Sequence, residues 1–362
     1  MKIQEQVNLK SYTSMFVGGK ARYFTEAESV DDILEALKFS KEKNLPYFIL
    51  GGGSNVLISD EGFNGVVIKI CILGKKLIRE TDKYVDYELG AGENWDGFVK
   101  FAVDNNLYGV ENMSHIPGSV GASVVQNIGC YGEEVGETVL SVKLINVDTL
   151  EQIIFENKEM GFSYRRSRLN DAKLDKGKYV VTHVLFRLQK QGELNMKYGD
   201  VKKYFATHQD ITPSPHTLRE AIISIRDNKF PFPDSPEHGT CGSFWNADVV
   251  SELMYEKIIK KLQEKGFESK AEEMIKKKNV FVVAQGFKIV PGLFVEVLGF
   301  KGKQNGGAKV LETHAGIINN FTGKATAEEV FELSLGVIDS VYKEFGVKMK
   351  IEPELVGDFK II

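Results

Sequence analysis

Cysteine is scarce in this 362-residue chain: Cys71, Cys130 and Cys241 lie far apart and form no C-x-x-C. That excludes a disulfide framework, and six scattered histidines without metal-ligand spacing exclude a structural zinc site. Charge of one sign is also lacking. A net charge of −4 leaves no basic field to draw nucleic acid or an acidic membrane. Any anionic ligand must therefore be held by local cations and backbone amides. No apolar run approaches the roughly 20 residues of a membrane-crossing helix, and the polar start Met1-Lys2-Ile3-Gln4-Glu5-Gln6 lacks the basic-then-apolar pattern of a secretory leader. The expectation is a reduced, soluble, cytoplasmic protein with no metal, no nucleic-acid partner and no membrane partner. Hydrophobic residues at 43% and charged residues at 27% exclude a disordered or fibrous chain. At about 150 residues per domain, the length allows two or three domains. Glycine is what the chain has in excess, 35 residues against a usual share of about 7%.

Those glycines cluster. Ser29 followed by Asp32 reads as a helix start, since a hydroxyl can cap free amides and a carboxylate favours the positive helix end. Ile33, Leu34 and Leu37 then recur at helical spacing until Asn44-Leu45-Pro46 stops the helix. Tyr47-Phe48-Ile49-Leu50 reads as a short buried strand that runs into Gly51-Gly52-Gly53-Ser54-Asn55, after which Val56-Leu57-Ile58 is apolar again. Residues 66 to 110 read as strands and turns. A second cluster follows in Ile116-Pro117-Gly118-Ser119-Val120-Gly121-Ala122. Alternation marks strands at 139–145 and 180–186. Prolines at 213, 215, 231, 233 and 236 suggest a domain junction, with a helix at 217–227 between the pairs. Residues 250–278 are helical and lysine-rich, a solvated face. Thr326-Ala327-Glu328-Glu329 is a capping box for a helix ending at Gly346, and Met349 to Phe359 reads as strand.

Neither glycine loop is G-x-G-x-x-G, and the first leads into a β-like run rather than a helix, which disfavours a Rossmann domain. No Walker sequence occurs. Successive backbone N–H groups in such loops can instead form an anion cradle without a helix dipole. Each loop alone could be a tight turn. Two in one half of the chain point to a diphosphate ligand.

Here a family resemblance enters. Tyr12 to Gly19, Leu50 to Asn55, Gly90-Ala91-Gly92-Glu93-Asn94-Trp95, Gly109-Val110-Glu111-Asn112, Ile116 to Ala122 and Gln126 to Gly132 come in that order. Phe162-Ser163-Tyr164-Arg165-Arg166-Ser167, Gly242-Ser243-Phe244 and Ile351-Glu352-Pro353-Glu354 follow. The set, spanning nearly the whole chain, resembles the UDP-N-acetylenolpyruvoylglucosamine reductase family, and Lys197-Tyr198-Gly199-Asp200 resembles a loop of its longer type. The resemblance implies an α+β protein: a two-subdomain FAD-binding fold of the vanillyl-alcohol-oxidase type plus a C-terminal α+β substrate-binding domain. Residues 1–70 with 349–362 returning to them, 71–228 and 229–348 are the expected parts. It also implies the reaction. NADPH reduces noncovalently bound FAD, which reduces the enolpyruvyl ether of UDP-N-acetylglucosamine to UDP-N-acetylmuramate in bacterial cell-wall precursor synthesis. A monomer is expected.

Residue roles carry over by position. Hydride arriving at the vinyl carbon leaves enolate-like negative charge at its neighbour, so the site needs a charge stabiliser and a carbon-directed proton donor. Arg165 matches the family's catalytic arginine, and a guanidinium offers a permanently charged donor fork; Arg166 points to the other side if this segment is a strand. Ser243 matches the proton donor, and Glu354 the catalytic glutamate, pairing with Arg165 or hydrogen-bonding the enolate. On a strand, Glu352 and Glu354 share a face. Tyr198, Lys229 and His314 match substrate-contacting positions, and Tyr131 is placed near the flavin ring or substrate. Gly51, Gly52, Gly53, Ser54 and Asn55 form the first expected diphosphate cradle, and Ser119, Gly121 and Ala122 the second. Where the family commonly reads G-S-F-F-K-N-P, this chain has Gly242-Ser243-Phe244-Trp245-Asn246-Ala247-Asp248. Two rival readings stay open: another flavin oxidoreductase of this fold acting on a hydroxy acid or alcohol, and a catalytically silent FAD- or UDP-sugar-binding protein.

Overall fold

The computed structural model describes residues 1–278 and 280–360. Contacts divide the chain into two compact units: residues 1–7, 21–53 and 63–232 form the first, and residues 8–20, 54–62 and 233–362 the second. These packing units do not follow the boundaries of the three expected parts, because residues 8–20 and 54–62 pack with the C-terminal third.

In the first unit, β1 (Gln4–Asn8) and β2 (Lys20–Ala27) lead to α1 (Val30–Glu42). Ser29 Oγ accepts the Asp32 N–H while the Asp32 carboxylate accepts the Ser29 N–H, the capping box expected from the sequence. Such a cap contributes about 1 kcal/mol. Ile33, Ala36 and Leu37 are the buried stripe, and Asn44, in the left-handed region at φ +51°, turns the chain out of the helix. Then come β3 (Tyr47–Leu50), β4 (Val56–Ile58), which belongs to the second unit, and β5 (Phe63–Ile70). Strands β2 and β3 both run parallel to β5, in the sheet order β1-β2-β5-β3. The first glycine loop therefore leaves the end of a parallel strand.

A five-stranded antiparallel sheet completes this unit. Its strands are β6 (Lys75–Glu80), β7 (Tyr84–Gly90), β10 (Val139–Asn146), β11 (Gln152–Glu156) and β12 (Tyr179–Gln189), in the order β11-β10-β12-β7-β6. The hairpin β8 (Gly129–Cys130) and β9 (Glu133–Glu134) precedes β10. Residues 95–104, read as strand and turn, are instead helix α2 (Trp95–Asp104). Asn94 caps it by accepting the Gly97 N–H, and Trp95, Phe98, Val99 and Ala102 bury one stripe against the sheet core. The short helix α3 (Val120–Val125) starts in the second glycine loop, while α4 (Gly199–Thr207) and α5 (Pro215–Asp227) close the unit. Helix α5 begins two residues earlier than its spacing predicts, because Pro215 takes the first-turn position where no N–H is needed.

The second unit contains β13 (Trp245–Ala247), α6 (Glu252–Glu264), α7 (Glu268–Ile275), β14 (Val280–Val283), β15 (Gly286–Ile289), α8 (Pro291–Val297), β16 (Gln304–Asn305), β17 (Ala308–Val310), β18 (Ile318–Asn319), α9 (Ala327–Phe345), β19 (Met349–Ile351) and β20 (Glu354–Val356). Helix α9 has the capping box at Thr326 and Glu329, and Gly346 at φ +67° ends it in the left-handed conformation. Val330, Leu333, Val337 and Val341 of α9 pack with Phe244, Phe294 and Phe331 in this unit's core. Met349 to Phe359 is not one strand. Pro353 offers no N–H to a ladder and divides it: β19 pairs antiparallel with β13, and β20 pairs parallel with β4. Among the described residues no helix is long and apolar enough to cross a membrane.

Candidate active site

In the first unit the two glycine loops meet. A Cβ on Gly52 would lie 2.4 Å from Gly118 Cα, and one on Gly51 would lie 2.9 Å from Ser119 Oγ. Only glycine allows backbone to approach this closely. Among the described residues, the Gly52 and Gly53 amides donate to no protein group. Lys69 holds the loop from behind by donating to the Gly51 carbonyl, and burial pushes its ammonium pKa down. Opposite, the Ser119 hydroxyl is buried without a hydrogen-bond partner. Orphan donors around a close backbone approach fit the diphosphate of FAD.

The second loop contributes differently from expectation. The Val120 and Gly121 amides donate to the Glu93 and Ala91 carbonyls, at 2.9 and 2.8 Å. Gly121 is thus a packing glycine rather than an anion donor, for a Cβ there would lie 2.6 Å from Ala91 Cβ. Ser119 supplies the polar group on this side, and Ala122 lines the approach, its Cβ 3.0 Å from a Cβ built on Gly51.

Tyr131, Tyr198 and Lys229 gather in one part of the same unit. Tyr131 turns at φ +48°, is 7% exposed and packs with Val201, Leu218 and Ile222, so burial pushes its phenol pKa up. The half-exposed Tyr198 ring meets it edge-on at 5.2 Å. Lys229 Nζ lies 2.5 Å from Asp200 Oδ2, which ties the end of α5 to the first turn of α4.

Arg165 is not on a strand. Ser163 and Arg166 exchange two backbone hydrogen bonds of 2.9 Å, which makes Tyr164 and Arg165 the centre of a tight turn. Arg165 has φ +55°, costing on the order of 1 kcal/mol for a residue with a Cβ. Arg166 turns away to pair with Asp171. The Arg165 guanidinium lies 5.6 Å from the Tyr164 ring centroid, and within this unit no described carboxylate pairs with it.

In the second unit, Ser243 is exposed and lines one cavity with His314, Trp245, Lys270 and Thr313. Gly242, at φ +76°, turns the chain ahead of it, and the Phe244 N–H donates to the Gly316 carbonyl at 2.8 Å, fixing the serine beside the His314 segment. His314 Nδ1 accepts the Gly316 N–H at 3.2 Å, so that nitrogen is an acceptor rather than a proton source. Lys270 belongs to the stretch read as a solvated face, yet it lines this cavity and pairs with Glu296 at 3.1 Å.

Glu352 and Glu354 do not share a strand face, since Glu352 follows the end of β19 and Pro353 separates it from β20. The Glu352 N–H donates to the Phe244 carbonyl, next to Ser243, whereas the Glu354 N–H donates to the Asn55 carbonyl, both at 2.9 Å. Glu354 is exposed at the start of β20 and stands at the end of the first glycine loop, where Ser54 and Asn55 lead into β4. Asn246, in the divergent segment, pairs in register with Lys350.

Sequence reasoning assigned no role to Lys69, Asp200 or Asn127. Asp200 and Asn127 stood in quoted motifs without a stated partner, and Lys69 carries no local signature: its partner is 18 residues away, and those of Asn127 are 7, 9 and 36 residues away. Among the described residues no group of three or more His, Cys, Asp or Glu side chains could hold a metal.

Residues 21–149 match a family model described as an FAD binding domain, and residues 234–356 match one described as the C-terminal domain of UDP-N-acetylenolpyruvoylglucosamine reductase. A UDP-N-acetylenolpyruvoylglucosamine reductase of Flavobacterium johnsoniae is 36% identical over 98% of this chain and all of its own length. One from Bdellovibrio bacteriovorus is 35% identical over 98% of this chain and 99% of its own. The crystal structure of the Thermus caldophilus reductase superposes with a TM-score of 0.65 at 21% identity, covering 99% of this chain and 100% of that one. This chain belongs to the UDP-N-acetylenolpyruvoylglucosamine reductase family.

Proposed function

We infer that the protein is an FAD-containing oxidoreductase that uses NADPH to reduce the enolpyruvyl ether of UDP-N-acetylglucosamine to UDP-N-acetylmuramate, a step of peptidoglycan precursor synthesis. The observation that carries this reading is full-length identity of 36% and 35% to two reductases of that name. It is joined by a loop contact whose steric and hydrogen-bonding vacancies fit a diphosphate. Bound FAD supplies hydride transfer, from the nicotinamide to the vinyl carbon. The Gly52 and Gly53 amides and the Ser119 hydroxyl hold its diphosphate.

Arg165 meets the negative charge that develops on the carboxylate side of the double bond, with no described carboxylate of its own unit paired to the guanidinium. Ser243 delivers the proton to carbon; its exposure and the preceding left-handed glycine leave the hydroxyl unobstructed. A serine is a weak acid, so cations facing the cavity, Lys270 among them, favour the transfer. Glu354 hydrogen-bonds the enolate. Tyr198, Lys229 and His314 bind the sugar nucleotide, with Tyr131 shaping its side of the site. The enzyme works as a cytoplasmic monomer.

The test is spectroscopic. Purified protein is yellow, NADPH bleaches it without oxygen, and adding the enolpyruvyl substrate restores the colour with formation of UDP-N-acetylmuramate. Colourless protein that cannot be reconstituted, or colour restored by oxygen and never by that substrate, overturns the reading.

A further inference from the structure

Asn127 is 1% exposed and sits just past the end of α3 at φ +45°. All its side-chain hydrogen-bonding groups are engaged. Oδ1 accepts the Gly136 N–H at 2.9 Å, while Nδ2 donates to Glu134 Oε2 at 2.7 Å and to the Ser163 carbonyl at 2.9 Å. Ser163 is the residue that closes the turn carrying Arg165. A second strut runs from the same helix end: Ser167 Oγ donates to the Val125 carbonyl at 2.6 Å. On the far side of the turn, Asn170 Nδ2 donates to the Arg165 carbonyl at 3.2 Å.

These bonds join two places with no local connection in the sequence. Helix α3 has Ser119, whose hydroxyl stands at the glycine-loop contact, at its N-cap position, and two residues past its end comes the Asn127 anchor. One helix of six residues therefore carries the flavin-side loop at its start and the clamp on the Arg165 turn beyond its end. The Arg165 backbone lies in a conformation that a residue with a Cβ leaves readily, so the turn persists only where its surroundings over-determine it. A buried amide with every group satisfied is such a constraint.

We propose that Asn127 is a positioning residue: it fixes the Arg165 turn relative to the flavin-side loop, so that the guanidinium meets charge developing on the substrate without further reorganisation. The inference rests on the role given to Arg165 above. It makes the hydride-accepting half of the cycle dependent on Asn127, and the NADPH-oxidising half independent of it.

The test uses the flavin-loaded enzyme and measures the two half-reactions separately by stopped-flow absorbance. Asn127→Ala, Arg165→Ala and the double variant are compared. Asn127→Asp is made alongside, because it keeps the acceptor for Gly136 while losing the amine donor. The expected result for Asn127→Ala is bleaching by NADPH within about 3-fold of the parent and recolouring by substrate slowed at least 10-fold. In the Arg165→Ala background, Asn127→Ala changes recolouring by less than about 2-fold, since the group it positions is gone. Equal slowing of both half-reactions, multiplying effects in the double variant, or loss of flavin by both Asn127 variants would each overturn the proposal in favour of a general structural role. Normal recolouring by Arg165→Ala alone marks failure of the Arg165 reading instead.

Discussion

The two packing units build their functional groups by opposite means. In the first, the site is backbone and buried amide: Gly52 pressed on Gly118, Ser119 without a protein partner, and Asn127 saturated with bonds. In the second, Ser243 and Glu354 are exposed side chains at the edges of short ladders, fixed by main-chain bonds to Gly316 and Asn55. The difference teaches that a substitution at Gly52 or Asn127 acts through packing and hydrogen-bond geometry, whereas one at Ser243 or Glu354 changes an exposed side chain and leaves its surroundings in place.

Gly52→Ala breaks this comparison most severely. Its Cβ would meet backbone at 2.4 Å, with no flexible side chain to yield, so the loops must part. Overpacking of this kind costs about 1–3 kcal/mol in a core and more where only backbone can move. The expected outcome is colourless protein with a lowered Tm, read by absorbance and thermal melting. Ser243→Ala is the counterpart. With the hydroxyl exposed, Tm should hold while substrate-driven recolouring falls about 10²–10⁴-fold, and NADPH bleaching stays near normal.

Asp96 sharpens the geometric side of the comparison. Both its oxygens bond Arg219, at 2.6 and 2.7 Å, and it also accepts the His115 N–H at the entrance to the second glycine loop. Burial pushes its pKa up, but the Arg219 and His115 bonds outweigh this and hold the carboxyl below its usual range. Asp96→Ala leaves Arg219 unpaired, and about 3 kcal/mol of stability should go, with weaker flavin retention in the same melt.

The smallest effect is a pH dependence. Burial, with Glu111 nearby, raises the Glu133 carboxyl to about 8 from 4.5. Between those values the folded protein keeps a proton that the unfolded chain has released, so this group makes stability fall as pH rises from 4.5 to 8 and adds no further change above. Glu133→Gln should remove that slope. Melting temperatures across that range check it.

How much of this was legible in the sequence differs by element. The Ser29 and Thr326 capping boxes, the glycine loops and the alternating strands β10 and β12 were readable because each is set by residues within a few positions of one another. Helix α2 was missed although Trp95, Phe98, Val99 and Ala102 carry its stripe, the whole of residues 66 to 110 being read as strands and turns. Among the site residues, Ser243 and Glu354 stood in recognisable motifs. Their settings did not, since the bond between Glu354 and Asn55 spans 299 positions of chain.

By itself the sequence determined the family and the two glycine loops, both carried by short ordered motifs and local backbone preferences. Only the tertiary structure decided that the Gly121 amide is taken up by the Ala91 carbonyl, that Pro353 sends Glu352 and Glu354 to different neighbours, and that Arg165 rides a strained turn clamped by Asn127. Hydrogen-bond satisfaction and close packing are settled between residues far apart in the chain, where no local pattern records them.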